Sequence, residues 1–156
     1  MAKNKLDIQK EVNIRNKKAY HEYEILDKYV AGMVLKGTEI KSIRMGKVNL
    51  QDAFCVIEQG EIWIRNMHIA QYSMSNFVNH TMKADRKLLL QKREIKKLTN
   101  KIKDKGLAII PLSLFVTNRG FAKVKIALAK GKKLYDKRQD IKSKDIKREL
   151  ARSVKY

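Results

Sequence analysis

The chain has 156 residues, of which 36 are Lys or Arg and 16 are Asp or Glu, so its formal net charge is +20. This length predicts one domain, and the hydrophobic fraction of 44% supplies one modest core. So large an excess of positive charge destabilises a compact state by self-repulsion. It therefore favours a polyanionic partner, with nucleic acid first and an anionic membrane surface second.

Membrane and secreted classes of protein fit the sequence poorly. The chain has no run of roughly 18 apolar residues, the length that a spanning helix needs, and its beginning has no apolar signal core. Neither end carries a lipidation signal. The single cysteine, Cys55, excludes an intrachain disulfide and lies in the apolar run AFCVI, which predicts a buried, unreactive thiol. We therefore expect no membrane partner and a cytoplasmic location.

The first part of the chain predicts a loose arm followed by extended structure. Residues 1–18 are polar and basic throughout. HEYEIL, residues 21–26, alternates apolar and polar side chains as a strand does. YVAGMVLKG, residues 29–37, continues as a second extended piece, with a bend or bulge at Gly32.

A short helix and a hairpin are predicted next. TEIKSIRMG starts at Thr38, a plausible N-cap, and ends at Gly46, which can adopt the left-handed conformation after the last turn. Residues 48–69 then predict two strands joined by a turn at residues 58–61.

The longest helical pattern follows a loop at residues 70–83 and covers about residues 85–105. Asp85 can cap this helix and Gly106 can end it. Its apolar face consists of Leu88, Ile95, Leu98 and Ile102. Its basic face consists of Lys87, Lys92, Lys96, Lys97, Lys101 and Lys103. Since a merely solvated surface usually mixes charge signs, this basic face favours binding.

Two strands and a basic tail complete the chain. Residues 107–116 and 121–130 predict strands around a turn at residues 117–120. Pro111 cannot donate a hydrogen bond to a neighbouring strand, so its strand lies at an edge or contains a bulge there. Residues 131–156 contain ten Lys or Arg and four Asp or Glu, a composition that does not bury enough surface to fold alone.

The tail also carries a weak helical signal. Ile146, Leu150 and Val154 recur at a spacing of four residues, which would give a thin apolar stripe on a basic helix. Such a helix is marginal by itself, but a polyanionic surface that neutralises its charge would favour it. A disordered, solubilising tail is the alternative.

Together these elements predict a mainly β protein with flanking α structure. About six short strands, one short helix and one longer helix fit a closed or nearly closed barrel, and the oligonucleotide-binding type fits best. The chain then divides into a basic N-terminal arm at 1–18, a barrel domain at 19–130 and a basic C-terminal tail at 131–156.

Enzymatic signatures are scarce, so we expect neither catalysis nor a cofactor or metal. His21, His68 and His80 are far apart, and no zinc-ligand spacing or phosphate-binding loop occurs. The alternative from another functional class is a nuclease with converged carboxylates, for which the candidates are Glu22, Glu24, Glu39, Asp52, Glu58 and Glu61. Aromatic residues beside basic ones favour RNA instead: Tyr20 and Trp63 could stack on bases, although packing against the barrel is the stronger interpretation for Trp63.

Long strings of this sequence are similar to the SmpB family, small protein B, the SsrA-binding proteins of trans-translation. They are NKKAYHEY (16–23), GTEIKSIRMGKVNL (37–50), residues 60–69, RKLLLQKREIKKL (86–98) and AKVKIALAKGKKLYDKR (122–138). The resemblance implies an oligonucleotide-binding barrel that binds the tRNA-like domain of tmRNA and brings it to stalled ribosomes. It also implies elongation factor Tu with alanyl-tmRNA as a partner, a monomeric state and no chemical step.

The resemblance also implies which residues contact RNA. On the barrel they are Asn16, Lys17, His21, Arg86, Lys87, Leu89 and Gln91. At the decoding centre of the small ribosomal subunit and in the mRNA channel they are Lys132, Lys133, Tyr135, Asp136, Lys137, Arg138, Lys142, Lys144, Lys147 and Arg148. There the protein would replace codon–anticodon pairing, with a tail that is disordered alone and helical on the ribosome.

Two positions depart from the family pattern. Gln91 stands where Asn or His is more common, and it keeps both a donor and an acceptor. Val30 stands where many members have an acidic residue, and valine cannot accept a hydrogen bond, so that contact is not carried over. The alternative within the same class is a general RNA-binding or ribosomal barrel protein without specificity for tmRNA.

Overall fold

The computed structural model describes residues 12–75, 78–104, 106–132 and 134–153. Within these residues nine strands occur: β1 Asn13–Arg15, β2 Tyr23–Met33, β3 Val48–Asn49, β4 Phe54–Glu58, β5 Glu61–Arg65, β6 His68–Ile69, β7 Arg86–Leu89, β8 Leu107–Val116 and β9 Ala122–Gly131. The same residues form four helices: α1 Lys17–Glu22, α2 Gly37–Arg44, α3 Lys92–Lys101 and α4 Leu134–Ser153.

Six antiparallel strands pair in a closed ring. Its order is β8, β4, β5, β7, β2 and β9, and β9 pairs again with β8. The pairing between β4 and β8 is limited to Cys55 opposite Ile109. β1 extends this sheet along β8, while β3 and β6 form a separate pair. The mainly β class with flanking helices is therefore confirmed.

The core lies inside this ring because alternate side chains point inward. In β5, Ile62 and Ile64 are fully buried, whereas Trp63 between them is half-buried on the outer face. Two helices beside the barrel each add a fully buried apolar side chain to the same core, Ile43 from α2 and Leu98 from α3. Burying an aliphatic side chain of this size contributes about 1.5–3 kcal/mol.

The N-terminal part is more ordered than its composition predicts. Residues 13–18 form β1 and the start of α1, so the prediction of a loose arm is wrong for them. Asn16 fixes this segment: its Oδ1 accepts a hydrogen bond from the Ala19 amide at 3.3 Å, and its Nδ2 donates to the carbonyls of Leu50 at 3.1 Å and Pro111 at 2.9 Å. The division into three parts stays a prediction.

The hairpin and bulge signals of the sequence agree with the structure. The turn between β4 and β5 places Gln59 and Gly60 at positive φ, and β8 and β9 flank a turn closed by a bond from the Gly120 amide to the Thr117 carbonyl. The register of β8 against β9 shifts between Pro111 and Ser113, which is the predicted bulge. The prediction for residues 21–37 was two extended segments with a bend or bulge at Gly32. The structure instead has one strand, β2, whose bulge lies between Ile25 and Asp27.

The start of α2 also differs from prediction. The N-cap is Lys36 rather than Thr38, because Glu39 reaches back and accepts a hydrogen bond from the Lys36 amide at 3.0 Å. The Thr38 hydroxyl instead lies 2.8 Å from Nδ1 of the buried His80. Gly46 adopts a φ of +73°, as predicted for the residue after the last turn.

The predicted helix at 85–105 is wrong over its first third. Arg86–Leu89 is strand β7, which completes the barrel between β5 and β2, and α3 begins only at Lys92. Asp85 caps no helix, since its Oδ2 accepts from Arg65 Nε at 3.3 Å. Four strand residues are too few to show a period of two against the helical pattern that follows them.

The tail forms one helix, α4, and its described side chains are exposed. Ile146 and Leu150, the two described members of the predicted stripe, are 57% and 60% exposed. That the tail is disordered in the absence of RNA stays a prediction. Among the described residues, every helix is too short or too polar to cross a membrane.

Candidate nucleic-acid interface

β2 separates the predicted RNA-binding residues of the barrel into two groups. Helix α1, with Lys17 and His21, ends where β2 begins at Tyr23. Gly32, near the other end of β2, pairs with Leu89. Nine residues of strand correspond to about 30 Å along the chain. The protein therefore presents two candidate RNA surfaces rather than one.

The second group belongs to an outer surface that we call the Leu89 face, formed by Val30, Gly32, Leu89, Lys123 and Lys125. Gly32 lies opposite both Leu89 on β7 and Lys123 on β9, and Val30 lies opposite Lys125. Directly opposed residues of antiparallel strands share a face. Leu89 is 52% exposed and Val30 is 47% exposed. Exposed apolar side chains beside lysines suit the bases and phosphates of RNA.

Arg86 contradicts its predicted role as an RNA contact. Its side chain is buried, and its guanidinium forms an ion pair with the buried carboxylate of Glu39 on α2. It also donates to three carbonyls, those of Met67 at 2.7 Å, Thr81 at 3.2 Å and Met82 at 3.1 Å. Arginine stands here because its fork of donors can satisfy several buried acceptors together. Its role in this conformation is to hold the fold.

The other barrel candidates vary in exposure. Lys87 lies on the outer face, but its Nζ donates to Glu61 at 2.8 Å, so its charge is already paired. Gln91 is exposed at the start of α3, where its Oε1 accepts from Arg93. Asn16 is buried and structural, as described above. Lys17 is exposed and His21 is half-buried, so these two remain accessible at α1.

The surface around α1 is joined to the start of the tail. The Lys132 amide donates to the Glu22 carbonyl at 2.8 Å, and its ammonium donates to the Tyr20 carbonyl at 3.2 Å. The Arg15 guanidinium lies 5.3 Å from the centre of the Tyr20 ring, a favourable cation–π contact. Helix α4 also contacts α1. Lys132 therefore attaches the tail to the barrel before α4 begins.

The predicted decoding residues fall partly within what the structure describes. Arg138, Lys142, Lys144, Lys147 and Arg148 are exposed on α4. Lys133 lies outside the described residues, as do the side chains of Tyr135, Asp136 and Lys137. The described basic side chains of α4 can therefore reach a polyanion.

Helix α3 carries four exposed cations within six residues. They are Lys92, Arg93, Lys96 and Lys97. Lys101 at its end is paired with Asp27 on β2. That hydrogen bond lowers the pKa of the Asp27 carboxyl and raises the pKa of the Lys101 ammonium. The basic face predicted for the helix thus exists from Lys92 onward.

The nuclease alternative requires carboxylates that converge on one metal site. The described part of the chain contains no group of three or more His, Cys, Asp or Glu that could hold a metal ion. Four of the six candidate carboxylates of the nuclease alternative form separate ion pairs: Glu39 with Arg86, Asp52 with Lys18, Glu58 with Arg65 and Glu61 with Lys87. Burial raises the pKa of the Cys55 thiol, which disfavours the reactive thiolate.

The fold changes the interpretation of two aromatic residues, Trp63 and Phe121. Trp63 faces outward between Val56 and Lys87, so it lies outside the core. Phe121 was not singled out from the sequence, yet it is 65% exposed and lines a cleft together with Leu89 and Lys123. Its position directly after the turn glycine Gly120 was the only local signal for it.

Known proteins resemble this chain over nearly its whole length. The model of the family described as SmpB protein matches residues 13–156. An SsrA-binding protein of Cytophaga hutchinsonii is 58% identical over 94% of this chain and 95% of its own. An SsrA-binding protein of Bacteroides thetaiotaomicron is 53% identical over 94% and 98% of the two chains.

A solved structure agrees with these sequence matches. It is described as "tmRNA-SmpB: a journey to the center of the bacterial ribosome", and its chain is 44% identical to this one. The superposition has a TM-score of 0.68 and covers 79% of this chain and 86% of that chain. The family model, the relatives and the shared fold lead to one assignment: the chain belongs to the SmpB family.

Proposed function

We propose that this protein binds tmRNA and brings it to stalled ribosomes in trans-translation. Membership of the SmpB family and the names of the SsrA-binding relatives support this function. The observation that carries it is the Leu89 face, where exposed apolar side chains adjoin Lys123 and Lys125. Within the described residues neither lysine has a carboxylate partner, so both are available to phosphates.

On the barrel, the tRNA-like domain of tmRNA would contact one or both of the surfaces described above. The Leu89 face offers Leu89, the start of α3 adds the exposed Gln91, and the α1 surface offers Lys17 and His21. About 30 Å of strand separates them, which suits a structured RNA with two arms better than a short single strand. Phosphate contacts from lysines position such an RNA, whereas contacts to unpaired bases select it.

On the ribosome, the tail would act at the decoding centre. Tyr135, Asp136, Lys137 and Arg138 would occupy the place of codon–anticodon pairing, with Tyr135 stacking on a ribosomal base. The exposed cations of α4 would follow the empty mRNA channel and contact its RNA. Elongation factor Tu with alanyl-tmRNA would act as a partner during delivery, the protein would be monomeric, and the process would take place in the cytoplasm.

Truncation separates the roles of the barrel and the tail. Because Lys132 bonds to α1, the deletion should begin at residue 133 so that this attachment is kept. We expect the truncated protein to bind tmRNA nearly as tightly as the full chain and to lose peptide tagging on stalled ribosomes. Tyr135→Ala should reduce tagging without changing the affinity for free tmRNA. A large loss of tmRNA affinity on truncation would contradict this division.

Specificity for tmRNA is measured by competition. The tRNA-like domain and an unrelated hairpin of equal length should be compared at the same salt concentration, because each phosphate contact contributes a slope of about 0.7–0.9 to the salt dependence. We expect similar salt slopes but clearly tighter binding of the tRNA-like domain. Equal affinities would indicate a general RNA-binding barrel instead.

A further inference from the structure

A cleft of about 410 Å³ lies beside α1 and shares no residue with the Leu89 face, and we call it the Ala108 cleft. Helix α1 and the strands β4 and β8 contribute residues to its lining. Three of these residues are the small Ala19, Ala53 and Ala108, which leave open the space that larger side chains would fill. The volume falls within the range of about 300–1,000 Å³ that is usual for ligand sites. The cleft is therefore large enough to accept a side chain from another molecule.

The charge of the Ala108 cleft is opposite to that of the chain. Its lining holds two carboxylates, Glu22 and Asp52, and one cation, Lys18, whereas the whole chain has a net charge of +20. The Lys18 ammonium lies 3.3 Å from Asp52 in an exposed ion pair, and such pairs are weak enough for another cation to compete. Glu22 takes part in no ion pair among the residues that the structure describes. The cleft therefore attracts a cation and repels phosphate.

Helix α1 separates the Ala108 cleft from the predicted RNA contacts. Lys18 and Glu22 are four residues apart and therefore share one side of the helix, and both line the cleft. Lys17 and His21 share the adjacent side by the same spacing, and neither of them lines the cleft. One short helix thus presents the predicted RNA contacts on one side and an acidic cleft on another.

Aromatic side chains line the Ala108 cleft and continue beyond it. Tyr23 and Phe54 belong to the lining, and Phe54 is 39% exposed. On the outer face of β4 and β5, Phe54 lies opposite Arg65, and Val56 lies opposite the half-buried Trp63. Protein interfaces are enriched in aromatic residues and arginine, and Arg65 already has carboxylate partners, which lowers its value to a phosphate. This surface therefore suits a protein better than RNA.

We propose that the Ala108 cleft binds an arginine side chain of a protein partner. The guanidinium donates hydrogen bonds to the carboxylates of Glu22 and Asp52 and stacks on the ring of Phe54. Arginine fits better than lysine because its planar fork of donors matches carboxylates and its flat group stacks on aromatic rings. The partner's chain then continues over Val56 and Trp63. This site goes beyond the function proposed above and does not depend on it.

A short peptide with one arginine tests the site directly. The probe is an alanine–arginine–alanine peptide with both ends blocked, and its control carries citrulline, which has the shape of arginine without the charge. In NMR spectra of the full chain, the arginine peptide should produce saturable shifts in the amide signals of Ala19, Ala53 and Phe54. The citrulline peptide should produce none. Equal shifts with both peptides, or none with either at millimolar concentration, would overturn the proposal.

Substitutions separate the local contacts from the effect of net charge. Glu22→Gln and Asp52→Asn should each weaken binding of the arginine peptide by a factor of about 1.5–5, the range for partly exposed ion pairs. Glu24→Gln is the matched control, because it changes the net charge equally at an exposed position outside the cleft. Phe54→Ala should weaken binding by a factor of about 2–5 through loss of the cation–π contact, and Phe121→Ala is its control. Equal losses in Glu22→Gln and Glu24→Gln would contradict the site.

The same spectra distinguish other occupants of the cleft. The tRNA-like domain of tmRNA should not displace the arginine peptide, and displacement would assign the cleft to RNA and overturn the proposal. Deletion from residue 133 removes the basic tail, so cleft signals that change before any peptide is added would identify the tail as the occupant. Signals that change with protein concentration would identify a second copy of the chain. Each of these results would overturn the proposal but leave the proposed function intact, since that function fails only if the wild-type protein does not prefer the tRNA-like domain.

Discussion

Arg86→Met removes the buried guanidinium and provides the sharpest test of the structure. The change leaves the Glu39 carboxylate buried without its charge partner and takes a donor from the carbonyls of Met67, Thr81 and Met82. Removing one member of a buried ion pair costs about 3–5 kcal/mol. For a chain of this size, 1 kcal/mol corresponds to about 2–4 °C in Tm, so we expect Tm to fall by roughly 6–20 °C.

The assay combines unfolding with RNA binding. Urea unfolding gives the free energy of unfolding for the wild type, Arg86→Met, Glu39→Gln and the double variant. The double variant should be more stable than the sum of the single losses by about 1 kcal/mol or more, because a neutral glutamine no longer needs the arginine. RNA affinity, measured well below the lowered Tm, should stay within about threefold of wild type, since the guanidinium faces the interior.

The opposite pattern would refute this reasoning. If Arg86 contacted RNA, Arg86→Met would leave the free energy of unfolding nearly unchanged and lower RNA affinity tenfold or more. The matched comparison is Lys123→Met, which removes an exposed cation and should change affinity rather than stability.

Three further predictions concern the domain itself. The hydrogen bond from Lys101 lowers the pKa of Asp27 from 3.8, so the stability that this pair contributes is present above pH 3.8 and is lost as the pH falls through the folded-state pKa. An NMR titration of Asp27 should therefore show a higher pKa in Lys101→Met than in the wild type. The same pKa in both proteins would contradict the pair. Cys55 is buried and its thiol has a raised pKa, so a thiol reagent should modify it only at the rate at which the protein unfolds locally or globally. Immediate labelling of the folded protein would disprove this burial. Leu98→Ala should cost about 3–5 kcal/mol in urea unfolding because Leu98 anchors α3 in the core, and a loss below 1 kcal/mol would mean that α3 is not packed there.

Local patterns predicted much of the fold because their causes lie within a few residues. The β4–β5 turn, the β8–β9 hairpin and the bulge after Pro111 all depend on turn or backbone chemistry that adjacent residues supply. The same patterns failed at residues 86–89, where the strand is defined by its partners β5 and β2 rather than by its own period. The candidate site was predicted less completely because the burial and ion pairing of its side chains also depend on residues from other parts of the chain.

The sequence by itself determined the mainly β class and the family, and it predicted a polyanionic partner, because alternation, long matching strings and net charge are properties of the chain alone. Only the tertiary structure decided which cations are available. It buried Arg86 against Glu39 and paired Lys87 with Glu61, whereas Lys123 beside Phe121 has no carboxylate partner among the residues that the structure describes. Burial and pairing depend on residues 26 to 47 positions apart in the sequence, and local composition does not encode such distances.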